Sequence, residues 1–291
     1  NANRFNLVYT DPHFLDTDFL LEPRIFSYDT DYQDTQGFNQ QSAGASLTVG
    51  HHLFEQVYGT LTYLYERTEI KDFAFNAPLL IRLQAAQGET FTSALIFALA
   101  RNTVDSTTEP TRGMRARFSF EYAGGFLDAE SNYTVTTLEI AHFWPLWWKF
   151  VGHLRGNIAY GEAFGETPLL PVQKRFFLGG ANTIRGYENF SISPTSPLTG
   201  GETGGNKAFW INGEILFPIY EPLRLRGVVF IDMGNSFAEP QDFSWRVKYG
   251  AGFGVRFMSP LGAIRLEVGF PLNPGPADDN YEIIFSAGRL F

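Results

Sequence analysis

Apolar and polar residues alternate along most of the 291-residue chain. In the segment 113–123, apolar side chains occupy every second position from Met114 to Tyr122, and arginine, serine and glutamate fill the positions between them. The segments 150–160, 249–257 and 264–270 show the same period of two. This is the period of a β-strand whose two faces meet different surroundings. The pattern therefore predicts an all-β protein.

Thirteen segments carry this alternation and are predicted as strands. Bacterial membrane barrels made of one chain normally have an even number of strands, so the odd count means either that one region has been divided wrongly or that strands are missing from the set. Two long connections interrupt the pattern, at 70–90 and 162–206, and the second is long enough to predict a functional loop. The predicted strands are 4–10, 19–29, 42–52, 57–69, 91–102, 113–123, 132–143, 148–161, 207–217, 223–235, 246–258, 262–271 and 281–291.

A transmembrane barrel and a soluble sandwich both produce alternating strands, so a second feature is needed. Aromatic rings lie near the strand ends of the apolar face, as in the aromatic girdles of a membrane barrel. The opposite face carries arginine and glutamate together, which suits a water-filled lumen. Mean hydropathy is near neutral at -0.13, as expected for strands that alternate. We predict a transmembrane antiparallel β-barrel, with a soluble all-β fold as the alternative. The girdle candidates are Tyr122, Trp148, Tyr160, Tyr249 and Phe270.

Composition narrows the function classes. A net charge of -9 argues against a general nucleic-acid-binding protein, which would need a basic surface. The chain has no cysteine and therefore no disulfide or thiolate metal site. No histidine has ligand-like spacing, and Gly250, Gly252 and Gly254 lie within a strand instead of opening a helix, so they do not form a dinucleotide loop. The sequence predicts no metal, no cofactor and no enzymatic activity.

One arginine has a specific predicted position. Arg185 lies in the Gly-rich loop segment RFFLGGANTIRGYENF, and strand alternation places Glu214 and Asp232 on the lumen side of two neighbouring strands. The planar guanidinium can bind two carboxylates at once. We therefore expect the loop to fold inward and place Arg185 between the two acids. The alternative is that Arg185 is a solvated loop residue.

Five segments in a fixed order resemble the BamA-type superfamily of outer-membrane assembly factors, which also includes TamA and two-partner-secretion branches. The family tetrapeptide V/I-R-G-F/Y corresponds to Ile184, Arg185, Gly186 and Tyr187. The segment VYTDPHF at 8–14 resembles the end of the fourth strand of the family. The five segments are FFLGGANTIRGYENFSISP, GGNKAFWINGEILFPI, FIDMGNSF, GFGVRFMSPLGAIRLEVGFPL and YEIIFSAGRLF.

The resemblance implies a specific architecture. The family barrel has sixteen strands, so residues 1–291 would form one transmembrane barrel domain containing about thirteen of them. The first three strands and the periplasmic POTRA domains would then lie outside this chain. The resemblance further implies that the extracellular loop at about 162–206 folds inward as a lid. In the last strand, Tyr281, Ile283, Phe285 and Phe291 would form the outward-facing C-terminal assembly signal.

The resemblance also implies a function. It indicates an integral, multi-pass protein of the bacterial outer membrane that assembles and inserts other β-barrel proteins. In that function, a lateral seam of the barrel templates client strands without covalent catalysis. The implied partners are outer-membrane lipids and lipopolysaccharide, unfolded outer-membrane protein clients and accessory assembly lipoproteins. A polypeptide-secretion or autotransporter-assembly pore of the same superfamily, or a passive porin, remains the alternative.

Overall fold

In the part of the chain that the structure describes, thirteen antiparallel strands form one sheet in which every strand pairs with its neighbours in sequence. The computed structural model describes residues 3–31, 37–74, 77–259, 262–276 and 278–288. The all-β prediction and the strand count are confirmed. The strands are β1 (Asn3–Val8), β2 (Phe19–Asp31), β3 (Asn39–Phe54), β4 (Val57–Lys71), β5 (Thr90–Asn102), β6 (Gly113–Ala123), β7 (Tyr133–Pro145), β8 (Val151–Ala163), β9 (Lys207–Tyr220), β10 (Leu225–Phe237), β11 (Lys248–Ser259), β12 (Gly262–Pro271) and β13 (Glu282–Gly288).

Within the described ranges, helical structure is confined to the connections between strands. The long connection predicted at 70–90 contains one α-helix, α1 (Leu79–Gln87), which strand alternation gave no means of predicting. Among the described residues, no helix is long and apolar enough to cross a membrane. Five short 3-10 helices occupy other turns of the described chain: Phe14–Asp16, Gly125–Leu127, Trp147–Lys149, Val172–Lys174 and Glu221–Leu223.

The two faces of the sheet have the predicted composition. Phe253 and Leu266 are exposed on the outer face, whereas Arg256 and Glu267 are buried on the inner face of the same two strands. The inner face is not polar throughout, however. An apolar cluster lies on it, and Val104 from the β5–β6 connection packs against this cluster. The cluster consists of Ala141, Phe143, Val151, Leu216 and Val228.

Two strands begin later than predicted because a left-handed residue precedes each of them. Trp148 and Lys149 have φ values of 54° and 63°, so β8 begins at Val151 and not at 148. Trp148 therefore lies in a turn. Arg224 has a φ of 50°, so β10 begins at Leu225 and not at 223. A left-handed backbone cannot continue a pleated strand.

The connections differ in length at the two ends of the sheet. Tight turns join β3 to β4 and β9 to β10, whereas the connections β4–β5 and β8–β9 at the opposite end are long. In membrane barrels the longer loops are extracellular and the short turns are periplasmic. In the described part of the chain, β1 and β13 each pair on one side only and are the two edges of an open sheet.

Candidate functional site

The connection between β8 and β9, residues 164–206, folds against the inner face of the sheet and is called here the lid loop. Its path is fixed by isolated bridges between Leu178 and Ile192 and between Phe176 and Gly205. Ile184 is fully buried and packs in an apolar cluster with Leu178, Ile192 and Ala208 of β9. The lid loop is therefore an ordered element packed on the strand that follows it.

Arg185 lies at the centre of a buried ion-pair cluster. Its Nε and Nη2 atoms donate two parallel hydrogen bonds to the Asp232 carboxylate, each 2.7 Å long. Its Nη1 atom donates to Glu214 Oε1 at 2.7 Å and to Glu267 Oε2 at 3.0 Å. Arg185 is 2% exposed, and Asp232 and Glu267 are fully buried. One guanidinium thus joins the lid loop to strands β9, β10 and β12.

A second arginine completes the cluster from the barrel wall. Arg256 of β11 donates to Glu267 Oε1 at 2.8 Å and to both Glu214 oxygens at 2.7 and 2.9 Å. His153 of β8 contacts Glu214 Oε2 through Nδ1 at 3.0 Å. Three carboxylates are therefore compensated mainly by two guanidinium groups, one from the loop and one from the wall.

The charge of Arg185 is secured by this environment. Burial by itself would lower the pKa of the guanidinium, but Asp232, Glu214 and Glu267 outweigh it and raise the pKa above its ordinary value. The guanidinium carbon also lies 3.5 Å from the centroid of the Phe230 ring, in cation–π geometry. A buried arginine is tolerated because its donors face carboxylates and an aromatic ring.

Glycines allow the loop backbone to approach the wall. A Cβ atom on Gly250 would lie 1.9 Å from the Arg185 carbonyl oxygen, and one on Gly269 would lie 2.5 Å from the Gly186 nitrogen. Gly186 has a φ of 95°, which favours glycine, and any side chain there would meet the backbone of Phe270. Gly250 of β11 and Gly269 of β12 are therefore part of the surface on which the lid loop rests.

Neighbouring polar groups hold the loop on either side of Arg185. Asn212 donates through Nδ2 to the Thr183 carbonyl oxygen at 2.6 Å and to Asp232 at 2.8 Å. The Tyr187 hydroxyl donates to Asn273 Oδ1 at 3.0 Å. The Arg185 amide also donates to Asp232 at 3.0 Å. The motif is thus anchored through main chain and side chains together.

The structure brings the predicted lid-loop residues together with both predicted acids. Sequence reasoning missed Glu267 and Arg256 as members of the cluster. Alternation placed both on the inner face, but only the folded structure shows that Glu267 reaches Arg185 of the loop and that Arg256 lies beside Glu267.

The C-terminal strand is described only in part. Tyr281, Ile283 and Phe285 are exposed on the outer side of the strand or just before it. Phe291, the last residue of the predicted assembly signal, lies outside the described residues. The described portion presents an apolar outer face, as a strand in contact with lipid requires.

The model of the Omp85 superfamily domain matches residues 1–291. The chain is 28% identical over 297 residues to the outer membrane protein assembly factor BamA of Nitratidesulfovibrio vulgaris, covering 99% of this chain and 36% of that protein. The chain thus spans about a third of the length of this curated relative.

Two solved structures share the fold. BamA from Haemophilus ducreyi lacking POTRA domains 1–3 superposes with a TM-score of 0.85 at 20% identity, covering 97% of this chain and 61% of that one. CdiB from Escherichia coli superposes with a TM-score of 0.63 at 15% identity, covering 97% of this chain and 52% of that one.

Proposed function

The chain belongs to the Omp85 superfamily, and from this premise we propose that it is the membrane barrel of a factor that assembles and inserts β-barrel proteins into a bacterial outer membrane. Two relatives that carry the name of such a factor match 99% and 95% of the chain. In this proposal the barrel acts by binding and templating client strands. It forms no covalent intermediate.

The observation that carries the proposal is the lid loop held inside the sheet by Arg185. Four side-chain hydrogen bonds from this residue reach carboxylates on three strands. A passive porin needs an open aqueous lumen, whereas this loop occupies part of the interior and is fixed there. A loop fixed in the interior therefore favours a barrel that binds its clients at the wall and the edge of the sheet over one that conducts solutes through an open lumen.

The edge strand β13 is the proposed seam. In the described part of the chain it pairs with β12 alone, along Glu282–Gly288. Unpaired strand groups are costly in lipid, so such an edge has a strong tendency to accept another strand. Addition of a client strand to this edge would satisfy those groups by β-augmentation.

The proposed surroundings follow from the same premise. The exposed apolar outer face would contact outer-membrane lipids and lipopolysaccharide. The clients would be unfolded outer-membrane proteins, and accessory assembly lipoproteins would bind at the periplasmic side. The lid loop and the other long connections would face the cell exterior.

The test is client folding in liposomes that contain the full-length protein. We expect a client barrel to fold faster with the wild-type protein than in empty liposomes, and Arg185→Ala to reduce this acceleration. Lys149→Ala is the matched control, because it removes an exposed ion pair to Glu221 that lies outside the lid loop.

Two results would contradict the proposal. Export of an unfolded polypeptide through the barrel with no acceleration of client folding would indicate a secretion pore of the same superfamily. A steady ion conductance in planar bilayers with no effect on client folding would indicate a porin.

A further inference from the structure

A small cavity lies between the lid loop and the barrel wall, beside the ion-pair cluster. Its volume is about 50 Å³. Ala181, Asn182 and Arg185 of the lid loop line it on one side, and strands β6, β7, β8, β9, β11 and β12 supply the remaining lining. Because a water molecule in liquid water occupies about 30 Å³, the cavity has room for one or two small species.

The cavity is lined by more positive than negative groups. Its two acidic lining residues are Glu139 and Glu214, and the nearby Asp232 and Glu267 are paired with the cluster arginines. Five arginines against four carboxylates leave one positive charge, with histidine counted as neutral. Three of these arginines, Arg185, Arg256 and Arg265, are buried, and a buried charge is costly without a counter-charge. The lining arginines are Arg115, Arg155, Arg185, Arg256 and Arg265.

One of these arginines has a donor without a partner. Arg265 is 6% exposed, and its Nη2 atom donates to Asn182 Oδ1 at 3.0 Å. Its Nε atom is buried and has no hydrogen-bond partner among the described residues. Unsatisfied buried donors are rare, and each one requires an explanation such as a bound ion. Charge and hydrogen bonding therefore both point to an acceptor of negative charge.

We propose that this cavity binds a single monovalent inorganic anion, chloride. One chloride neutralises the excess charge, fits the volume and accepts hydrogen bonds from several guanidinium groups at once. A divalent oxyanion would reverse the sign of the excess charge.

Bound chloride would also help to retain the lid loop. Asn182 already joins the loop to the wall, because its carbonyl oxygen accepts from Arg155 at 2.6 Å and its side chain accepts from Arg265. An anion between these two arginines would hold their side chains in place to bind Asn182. Chloride removal is therefore expected to loosen the lid loop without unfolding the sheet.

Anomalous diffraction from crystals of the protein grown with bromide in place of chloride tests the site directly. We expect one anomalous peak inside the cavity, within hydrogen-bond distance of Arg265. A cavity with no anomalous peak at saturating bromide would overturn the proposal, and so would a sulfate bound there in preference to bromide.

A solution experiment tests the same site without crystals. Chloride should raise the unfolding temperature and slow hydrogen exchange in the lid loop when it replaces methanesulfonate at constant ionic strength. The reason is that a ligand that binds only the folded state stabilises that state. Arg265→Gln should abolish both effects. Arg117→Gln, which changes an exposed arginine of β6 that does not line the cavity, should retain them. Equal chloride effects in both variants, or none in the wild type, would contradict the site.

Discussion

Replacing Arg185 with alanine removes the centre of the buried cluster and is the most informative single change. The substitution deletes four side-chain hydrogen bonds to three carboxylates. It leaves the fully buried Asp232 with the Asn212 amide and the backbone N–H of residue 185 as its remaining donors. Breaking a buried ion pair by removing one partner costs about 3–5 kcal/mol, whereas an exposed pair contributes about 0–1 kcal/mol. We expect the lid-loop opening free energy to fall by the larger amount.

The structure also predicts which acid depends most on Arg185. Glu214 and Glu267 keep hydrogen bonds from Arg256 when Arg185 is lost, but Asp232 keeps no cation within the cluster. Double-mutant cycles should therefore give a larger coupling energy for Arg185 with Asp232 than for Arg185 with Glu214. Arg185→Lys should restore only part of the loss, because one ammonium group cannot make the two parallel bonds to Asp232.

Hydrogen exchange measures the effect at the loop itself. The amides of Leu178 and Ile192 are bonded to each other's carbonyl groups within the lid loop, so their exchange reports its opening. Lys149→Ala serves as the exposed-pair control, since Lys149 and its partner Glu221 are 71% and 58% exposed. Equal protection of these amides in Arg185→Ala, Lys149→Ala and wild type would refute the reasoning, as would zero coupling to both acids.

Three further predictions test other parts of the account. Phe118→Arg on the outer face of β6 should reduce insertion by about 2–4 kcal/mol near the middle of the bilayer, and Ser119→Arg on the lumen side should be mild; equal losses in a lipid-refolding titration would contradict the strand phase. Gly250→Ala should displace the lid loop, because its Cβ would lie 1.9 Å from a loop carbonyl oxygen, whereas Gly156→Ala meets nothing within 4 Å. The cost of Gly250→Ala should be about 1–3 kcal/mol, and protease sensitivity of the loop would show it. Deleting Phe291 should lower assembly in cells more than the stability of refolded protein, and unchanged assembly would remove its role as a signal.

The strands could be predicted from the sequence because the two faces of the sheet have different surroundings, lipid on the outer face and a polar interior on the inner face. Alternation with a period of two therefore survives in almost every strand, including β11 and β12, where Phe253 and Glu267 lie on opposite sides as expected. Turn residues were harder to place. Trp148 reads as one more apolar strand residue, and only its left-handed backbone shows that it belongs to a turn.

For the candidate site, the sequence predicted which face of the sheet each side chain lies on, but not which side chains contact one another. Alternation placed Glu214 and Asp232 inside, and the loop motif drew attention to Arg185. The same alternation places Glu267 and Arg256 on the inner face, but it places many other charged side chains there as well. Their selection depends on strand register and on how far the lid loop reaches, which are properties of the assembled sheet. Helix α1 had no signal of this kind because the connection that contains it is not patterned as a strand.

Cross-linking at the edge strand tests the central claim of strand templating most directly. The chain contains no cysteine, so a single cysteine can be placed without background in this region. Ser286→Cys lies in β13, and Thr137→Cys lies in β7, which is paired on both sides. During client assembly we expect Ser286→Cys to form disulfides with a cysteine in the client's terminal strand and Thr137→Cys to form none. Absence of the Ser286→Cys adduct, or equal yields at both positions, would contradict templating at this edge.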